Sequence, residues 1–309
     1  MRIVYMGTPE FAVGPLKKLD DNYEVVLVVT QPDKEVGRKK EIKFSPVKEY
    51  ALEKGIPVFQ PDKIRNDYEE ILSYNPDVIV TCAYGQIIPK ELLEFPKYKC
   101  INIHASLLPK LRGGAPIHWS IINGDSKTGI TIMYMNEKMD EGDILYQKEI
   151  DILDSDNVET LHDKLSELGS NMIIEFLPKL ESGDINPIKQ NNEEATYGYN
   201  VSREDEHLDF NKTSKEVFNK IRGLNPWPVA YTSLDGKVFK VYNSRISDSK
   251  PDGTNGEITN IYPDGIGIKT SDGEIIITEI KEEGKNRIQV KDYLNGIHDK
   301  DSLKHKIFS

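Results

Sequence analysis

The sequence predicts an α/β protein: a doubly wound, mostly parallel sheet of Rossmann type, followed by a small C-terminal β-barrel of the oligonucleotide-binding (OB) kind. Three observations predict it. EVVLVVT (24–30) is an unbroken β-branched run, as expected for a strand covered on both faces in a parallel sheet. Strand-like and helix-like segments alternate from the start through residue 183, the pattern of βαβ units. Beyond 206 the texture changes to short strands separated by Asp–Gly and Asn–Gly turns.

In order, RIVYM (2–6) reads as the first strand, and Phe11, Val13 and Leu16 mark one face of the helix after it. SPVKEYALEKG (45–55) carries three boundary signals. Ser45 can cap the first turn, Pro46 sits where its missing N–H is not needed, and Gly55 can end the helix. PVF (57–59) is a short strand, RNDYEEILSYN (65–75) a helix and PDVIVTCAYG (76–85) a strand. KYKCINIH (97–104) supplies another strand, and APIHWSIING (115–124) a helix stopped by Asn123–Gly124. GITIMYM (129–135) and ILYQKEIDI (144–152) are strands, and 157–183 is a long amphipathic helix. Residues 190–206 are polar with little apolar periodicity and read as a linker. They divide an N-terminal domain (1–189) from a C-terminal domain (207–309). The latter holds one helix (214–224) and strand-like segments AYTSL, KVFKVYNSRI, GEITNIY, GIGIKT, GEIIITEI and NRIQV.

The 309 residues, 38% hydrophobic and 29% charged, suit a globular protein large enough for two cores. No stretch approaches the roughly 20 apolar residues of a membrane span, and the N-terminus lacks the pattern of a secretory signal. Cys82 and Cys100 form no CxxC pair, so buried thiols in a reducing cytoplasm are expected. The net charge is −11, all of it in residues 1–206, where 24 basic residues face 36 acidic ones. Within that acidic part, residues 31–48 carry six basic and three acidic side chains. Such a loop can contact phosphates on an otherwise acidic protein, although a solvated loop accounts for the charge equally simply.

Open α/β sheets bind ligands at the carboxyl ends of their strands. The first such loop, MGTPEF, has one glycine where a dinucleotide fingerprint has three. No acidic residue ends the second strand, which runs into Thr30-Gln31-Pro32-Asp33, so a nicotinamide oxidoreductase is disfavoured. In INIH, residues two apart face the same way, so Asn102 and His104 project together. An amide and a protonated imidazole both donate to an oxygen that becomes negative, which suits acyl transfer. MNEKMDEGDIL offers Asp140 or Asp143 to favour and orient the imidazolium, and the spacing leaves that choice open. His104, His118 and His162 lack the spacing of metal ligands, and no metal is expected.

With these residues in view, the sequence resembles the methionyl-tRNA formyltransferases nearly end to end. The likeness is carried by GTPEFAV, TQPD, SPVKEYA, AYGQIIP, NIHASLLPKLRGGAPI, GITIMYMNEKMDEGDIL and IRGLNPWPVAYT. The resemblance implies a formyltransferase-type Rossmann variant with a catalytic trio of Asn102, His104 and Asp140. It implies 10-formyltetrahydrofolate as donor and the amine of initiator Met-tRNA as acceptor, in a cytoplasmic enzyme expected to be monomeric. The folate is expected against Tyr84, Gly85, Gln86, Ile87, Ile88 and Pro89, with Ser106, Leu107, Leu108 and Pro109 shaping the wall. Lys34, Arg38, Lys39, Lys40 and Lys43 are expected to contact the tRNA, with the β-domain supporting its body.

Two departures from the family pattern stand out. The loop usually similar to DRPAGRGKKL is DKEVGRKKEI here, with Lys39 replacing a glycine and Glu41 a basic residue. Around Asp140 the common GLDTGD is KMDEGD, which loses a glycine and is expected to reshape that loop. A related family acts on nucleotide amino-sugars with the same trio. The basic loop and the NPWP segment favour tRNA.

Overall fold

The computed structural model describes residues 1–36 and 41–309. Among these the chain divides into two compact units. One comprises Met1–Pro116, Lys127–Asp151 and His162–Tyr199; the other comprises Ile117–Ser126, Ile152–Leu161 and Asn200–Ser309.

The chain opens with β1 (Arg2–Gly7), α1 (Val13–Asn22) and β2 (Glu24–Val29). A small hairpin of β3 (Lys34–Val36) and β4 (Glu41–Lys43) follows. Next come α2 (Pro46–Lys54), β5 (Val58–Phe59), α3 (Glu69–Ser73), β6 (Val78–Cys82), α4 (Lys90–Glu94) and β7 (Cys100–His104). After α5 (Pro116–Ile122) the chain makes β8 (Lys127–Tyr134), β9 (Ile144–Asp151) and the long α6 (Val158–Ser182).

The sheet of the first unit has the order β5-β2-β1-β6-β7-β8-β9. Strands β5 through β7 in that order are parallel, and β8 and β9 add antiparallel neighbours. The chain winds outward from β1 to β2 and β5, then crosses to β6 and β7. The reversal falls between β1 and β6, and a cleft opens beside such a point at the carboxyl ends of the strands. The β-branched runs are covered on both faces: Ile3, Val4, Leu27, Val28, Val78 and Val80 are fully buried. Helix α1 can lie close against α6 because residue 14 is glycine; a Cβ there would come within 2.6 Å of Ser170 Oγ.

Local chemistry accounts for most boundaries. Ser45 Oγ accepts from Lys48 N at 3.1 Å, Pro46 opens α2, and Gly55 closes it at φ 70°. One expectation fails in extent: the helix over 65–75 is reduced to α3. Ile64 is buried in the core and its N–H donates to Gln86 Oε1 at 2.8 Å, so the chain before Tyr68 is held as a loop.

The expected linker is also not a free connector over 190–199, which belongs to the first unit. Arg112 N donates to Thr196 O, Gly198 N to Arg112 O and Ala115 N to Gly198 O, at 2.8–2.9 Å. The polar residues there serve internal hydrogen bonds, and Gln190 is only 6% exposed.

The second unit contains α7 (Ser214–Gly223), β10 (Ala230–Leu234), β11 (Lys237–Ser247), β12 (Ile258–Ile261), β13 (Ile266–Lys269), β14 (Glu274–Glu282), β15 (Ile288–Gln289) and α8 (Val290–Asn295). Thr213 and Glu216 form a capping box at the start of α7. The antiparallel sheet runs β10-β11-β14-β13-β12, with β15 on β14. Its two edges are joined by the last residues: Ile258 N donates to Lys306 O and Phe308 N to Gly256 O on the β12 side. On the β10 side, Ser233 and Ser309 exchange backbone bonds at 2.8 and 3.0 Å. The tail thus satisfies both edges and closes the sheet into a barrel. Phe239, Val241, Ile268, Ile275, Val290 and Phe308 lie in its core. The expected strand NRIQV shrinks to two residues, because fully buried Val290 turns the chain into α8.

Candidate active site

Strand β7 ends at the carboxyl edge of the parallel strands, and its alternation puts Asn102 and His104 on one side. His104 is 6% exposed, and its Nε2–H donates to Leu111 O at 3.0 Å. The other ring nitrogen, Nδ1, stands 3.8 Å from Asp140 Oδ1. The imidazole is therefore oriented by a backbone carbonyl, while the carboxylate supplies an opposite charge just outside hydrogen-bond range.

Asp140 lies in the loop between β8 and β9 with φ 54°, a left-handed conformation that non-glycine residues seldom adopt. Its Oδ2 accepts from Gly113 N at 2.8 Å, which turns Oδ1 toward the histidine. Of the two aspartates left open by the spacing, Asp140 is the one placed 3.8 Å from the imidazole; the backbone oxygen of Asp143 accepts from Tyr134 N at 2.9 Å.

Asn102 is half-buried, and its Oδ1 accepts from Thr81 Oγ1 at 2.8 Å. Thr81 is itself 2% exposed. With the oxygen occupied, the two N–H groups of the amide are what Asn102 has left to give. An amide donor and an imidazole beside a carboxylate make a site for an oxygen that gains negative charge.

SLLP forms a braced wall. Thr131 Oγ1 donates to Ser106 O at 2.6 Å and accepts from Leu108 N at 3.1 Å and from Gln147 Nε2 at 2.8 Å. Gln147 also donates to Leu108 O. Ser106 and Leu108 are buried and Leu107 and Pro109 half-buried, so the outer pair carries the exposed surface.

The AYGQIIP segment is divided. Tyr84 and Ile88 are buried in the apolar core, and burial pushes the Tyr84 phenol up. Gln86 turns inward to hold Ile64 and Pro61. Gly85 and Ile87, the latter 66% exposed, face outward beside half-buried Pro89. Gly85, Ile87 and Pro89 thus present the accessible surface of this segment, whereas Tyr84, Gln86 and Ile88 support it from behind.

Of the expected tRNA contacts, Lys34 and Lys43 are paired across the β3–β4 hairpin and are exposed. Arg38, Lys39 and Lys40 lie outside the described residues. Both thiols are fully buried, and Cys82 is pushed up to about 12 by burial, partly offset by Tyr5. Among the described residues no group of three His, Cys, Asp or Glu side chains is placed to hold a metal, and no helix is long and apolar enough to cross a membrane.

Sequence reading missed the groups that hold the trio: Thr81, Leu111 O and Gly113 N. The last two are backbone atoms and leave no mark in side-chain pattern. Thr81 had a faint one, a hydroxyl in an otherwise apolar strand.

Comparison with known proteins shows the family. The formyl transferase family matches residues 1–177, and the formyl transferase C-terminal domain matches residues 200–298. A methionyl-tRNA formyltransferase of Bacillus subtilis (strain 168) is 52% identical over 301 residues, covering 96% of this chain and 95% of its own. Among solved structures, an N-formyltransferase from Helicobacter canadensis, in complex with folinic acid and dTDP-3-aminofucose, is similar with TM-score 0.70 and 22% identity. That match covers 89% of this chain and 98% of the other. A methionyl-tRNA formyltransferase from Clostridium thermocellum is similar with TM-score 0.56 and 20% identity, over 81% and 95%. At such identities the two structures speak for the fold alone.

Proposed function

The chain belongs to the methionyl-tRNA formyltransferase family, and from that premise we propose that it carries the formyl group of 10-formyltetrahydrofolate to the α-amine of initiator Met-tRNA through Asn102, His104 and Asp140. One observation supports these roles above others: an amide donor, an imidazole and a carboxylate converge where β7 leaves the sheet. As the amine bonds to the formyl carbon, the formyl oxygen becomes negative. The Asn102 amide and the His104 Nδ1–H donate to that oxygen, in a site where the Leu111 carbonyl keeps Nε2 engaged. Asp140 orients His104 and helps draw off the amine proton. The carbon–nitrogen bond to the donor then breaks as the donor nitrogen takes up that proton, tetrahydrofolate leaves, and the carbonyl is restored.

Gly85, Ile87 and Pro89 offer the donor an open apolar face, and Leu107 and Pro109 a wall beside the trio. This fits a flat, partly apolar substrate and calls for no metal ligand. The basic loop with Lys34, Arg38, Lys39, Lys40 and Lys43 meets tRNA phosphates, and the barrel supports the tRNA body. The enzyme acts as a cytoplasmic monomer.

The test is purified protein with 10-formyltetrahydrofolate and charged initiator Met-tRNA, beside a nucleotide amino-sugar. Formyl-methionine on the tRNA alone is the expected result. Product on the sugar alone would transfer the same chemistry to another acceptor, and no product from folded protein would remove the trio's assignment.

A further inference from the structure

Asp140 is held at its backbone as well as at its carboxylate, and the hold comes from the segment whose sequence reads as a linker. Gln190 Nε2 donates to Asp140 O and to Gly142 O, both at 2.7 Å. Gln190 Oε1 in turn accepts from Arg112 Nε at 3.1 Å and Nη2 at 2.8 Å. Arg112 Nη2 also donates to Asn192 Oδ1 at 2.8 Å, and Nη1 faces Glu141 Oε1 at 3.5 Å. Arg112 is 1% exposed and Gln190 6%.

A buried guanidinium has no acceptor capacity, and the Asp140 loop presents two carbonyls that need donors. Glutamine alone among side chains of this length both accepts from the first and donates to the second. It therefore joins a rigid buried cation to a loop in a strained conformation, φ 54° at Asp140. The loop cannot relax outward without leaving two carbonyls and a guanidinium edge unpaired.

Resting on the trio's assignment above, we propose that Gln190, anchored by Arg112, is a positioning residue for formyl transfer: it sets the Asp140 loop so that the carboxylate meets His104 Nδ1. Neither side chain touches the reacting atoms in this proposal. The same chain segment steadies the other half of the site, since Thr196 Oγ1 accepts from Leu111 N at 2.9 Å and Leu111 O holds His104. Residues 190–196 thus set the spacing between imidazole and carboxylate from both sides.

Gln190→Glu separates this role from simple support of the fold. A carboxylate keeps both acceptors for Arg112, in a charge-assisted pair, but has no proton to donate to the Asp140 and Gly142 carbonyls. The expected result is a kcat about 10- to 100-fold lower, the scale of a misplacement near 1 Å. KM for both substrates should stay within about 3-fold, and Tm should fall less than in Gln190→Met, because the charge-assisted pair with Arg112 offsets part of the cost of the two unpaired carbonyls. Gln190→Met, which lacks both functions, should lower kcat and Tm together. In an Asp140→Ala background, Gln190→Glu should cost no further activity, because the group it positions is gone.

Wild-type kcat in Gln190→Glu, or the same fold loss with and without Asp140, would overturn the proposal. Full activity of Asp140→Ala itself would instead overturn the trio and the proposal with it. Failure of the wild type on Met-tRNA would overturn the proposed acceptor, and the cycle would then be run on the sugar substrate if that is formylated.

Discussion

Replacing Thr81 by valine tests whether Asn102 works as a donor because its oxygen is tied down. The substitution keeps the branched shape inside β6 and removes one hydroxyl. Thr81 Oγ1 donates to Asn102 Oδ1 at 2.8 Å and lies 3.2 Å from Ile101 O and 3.1 Å from Met135 Sδ. At 2% exposure no water replaces it. In the variant, Oδ1 faces a methyl group in its working position, a penalty of about 1–3 kcal/mol for an unpaired buried acceptor. Asn102 is half-buried, so it escapes that penalty by turning away from the strand, which takes its N–H groups off the developing oxyanion. Bringing it back costs the same energy, and at about 1.4 kcal/mol per decade kcat should fall roughly 5- to 140-fold.

Folding stability should drop by about 1–2 kcal/mol, a few degrees in Tm. The assay is saturating initial-rate formylation of Met-tRNA, with KM for each substrate and a thermal melt. Thr81→Ser should recover most of the rate, and Thr81→Val should cost nothing more in an Asn102→Ala background. A few degrees lost from Tm with kcat unchanged would refute the reasoning, because the hydroxyl would then be holding the sheet and not the amide.

A Cβ on Gly142 would lie 1.8 Å from Tyr134 O, so Gly142→Ala must push the Asp140 loop off β8. It should cost about 1–3 kcal/mol of stability and a large part of kcat, checked by a melt and a rate on the same sample. Glu274 is fully buried in the barrel unit: burial pushes its carboxyl up, but Tyr262, Asn260 and Thr259 donate to it and hold it below the ordinary carboxylate value of 4.5. A depressed folded value gives stability that is present above the ordinary range and lost as pH falls through it. Wild type should therefore lose more Tm than Glu274→Gln between about pH 5 and pH 3, and parallel curves would count against the linkage. Reversing Arg38 and Lys40 to Glu should weaken Met-tRNA binding, flatten its dependence on salt and leave folate binding intact. An unchanged salt slope would remove the loop from tRNA recognition.

The parallel sheet was legible because β-branched runs buried on both faces leave an unbroken apolar signature, and α2 because Ser45, Pro46 and Gly55 act within one turn of themselves. The shared side of Asn102 and His104 was legible for the same local reason: two residues apart on a strand point one way. The barrel's strands could be read from their turns, but its closure could not. The tail that joins β10 to β12 does so through backbone atoms at Ser309, Phe308 and Lys306, which carry no side-chain pattern. The polar run at 190–199 was misread for a related reason. Low apolar periodicity signals solvent exposure only when the polar groups have no partners inside, and Gln190 and Thr196 find theirs at Arg112, Asp140 and Leu111.

By itself, then, the sequence determined which residue types stand at the ends of which strands, since helix and strand periods and caps depend on near neighbours. Only the tertiary structure decided what each of those residues works with. Asp140 reaches His104 across 36 positions of chain, through Gly113 N and Gln190, and Asn102 presents its donors because Thr81 comes alongside on another strand. Hydrogen bonds act over about 3 Å of space whatever the separation along the chain, so those partnerships exist only once the sheet has brought the strands together.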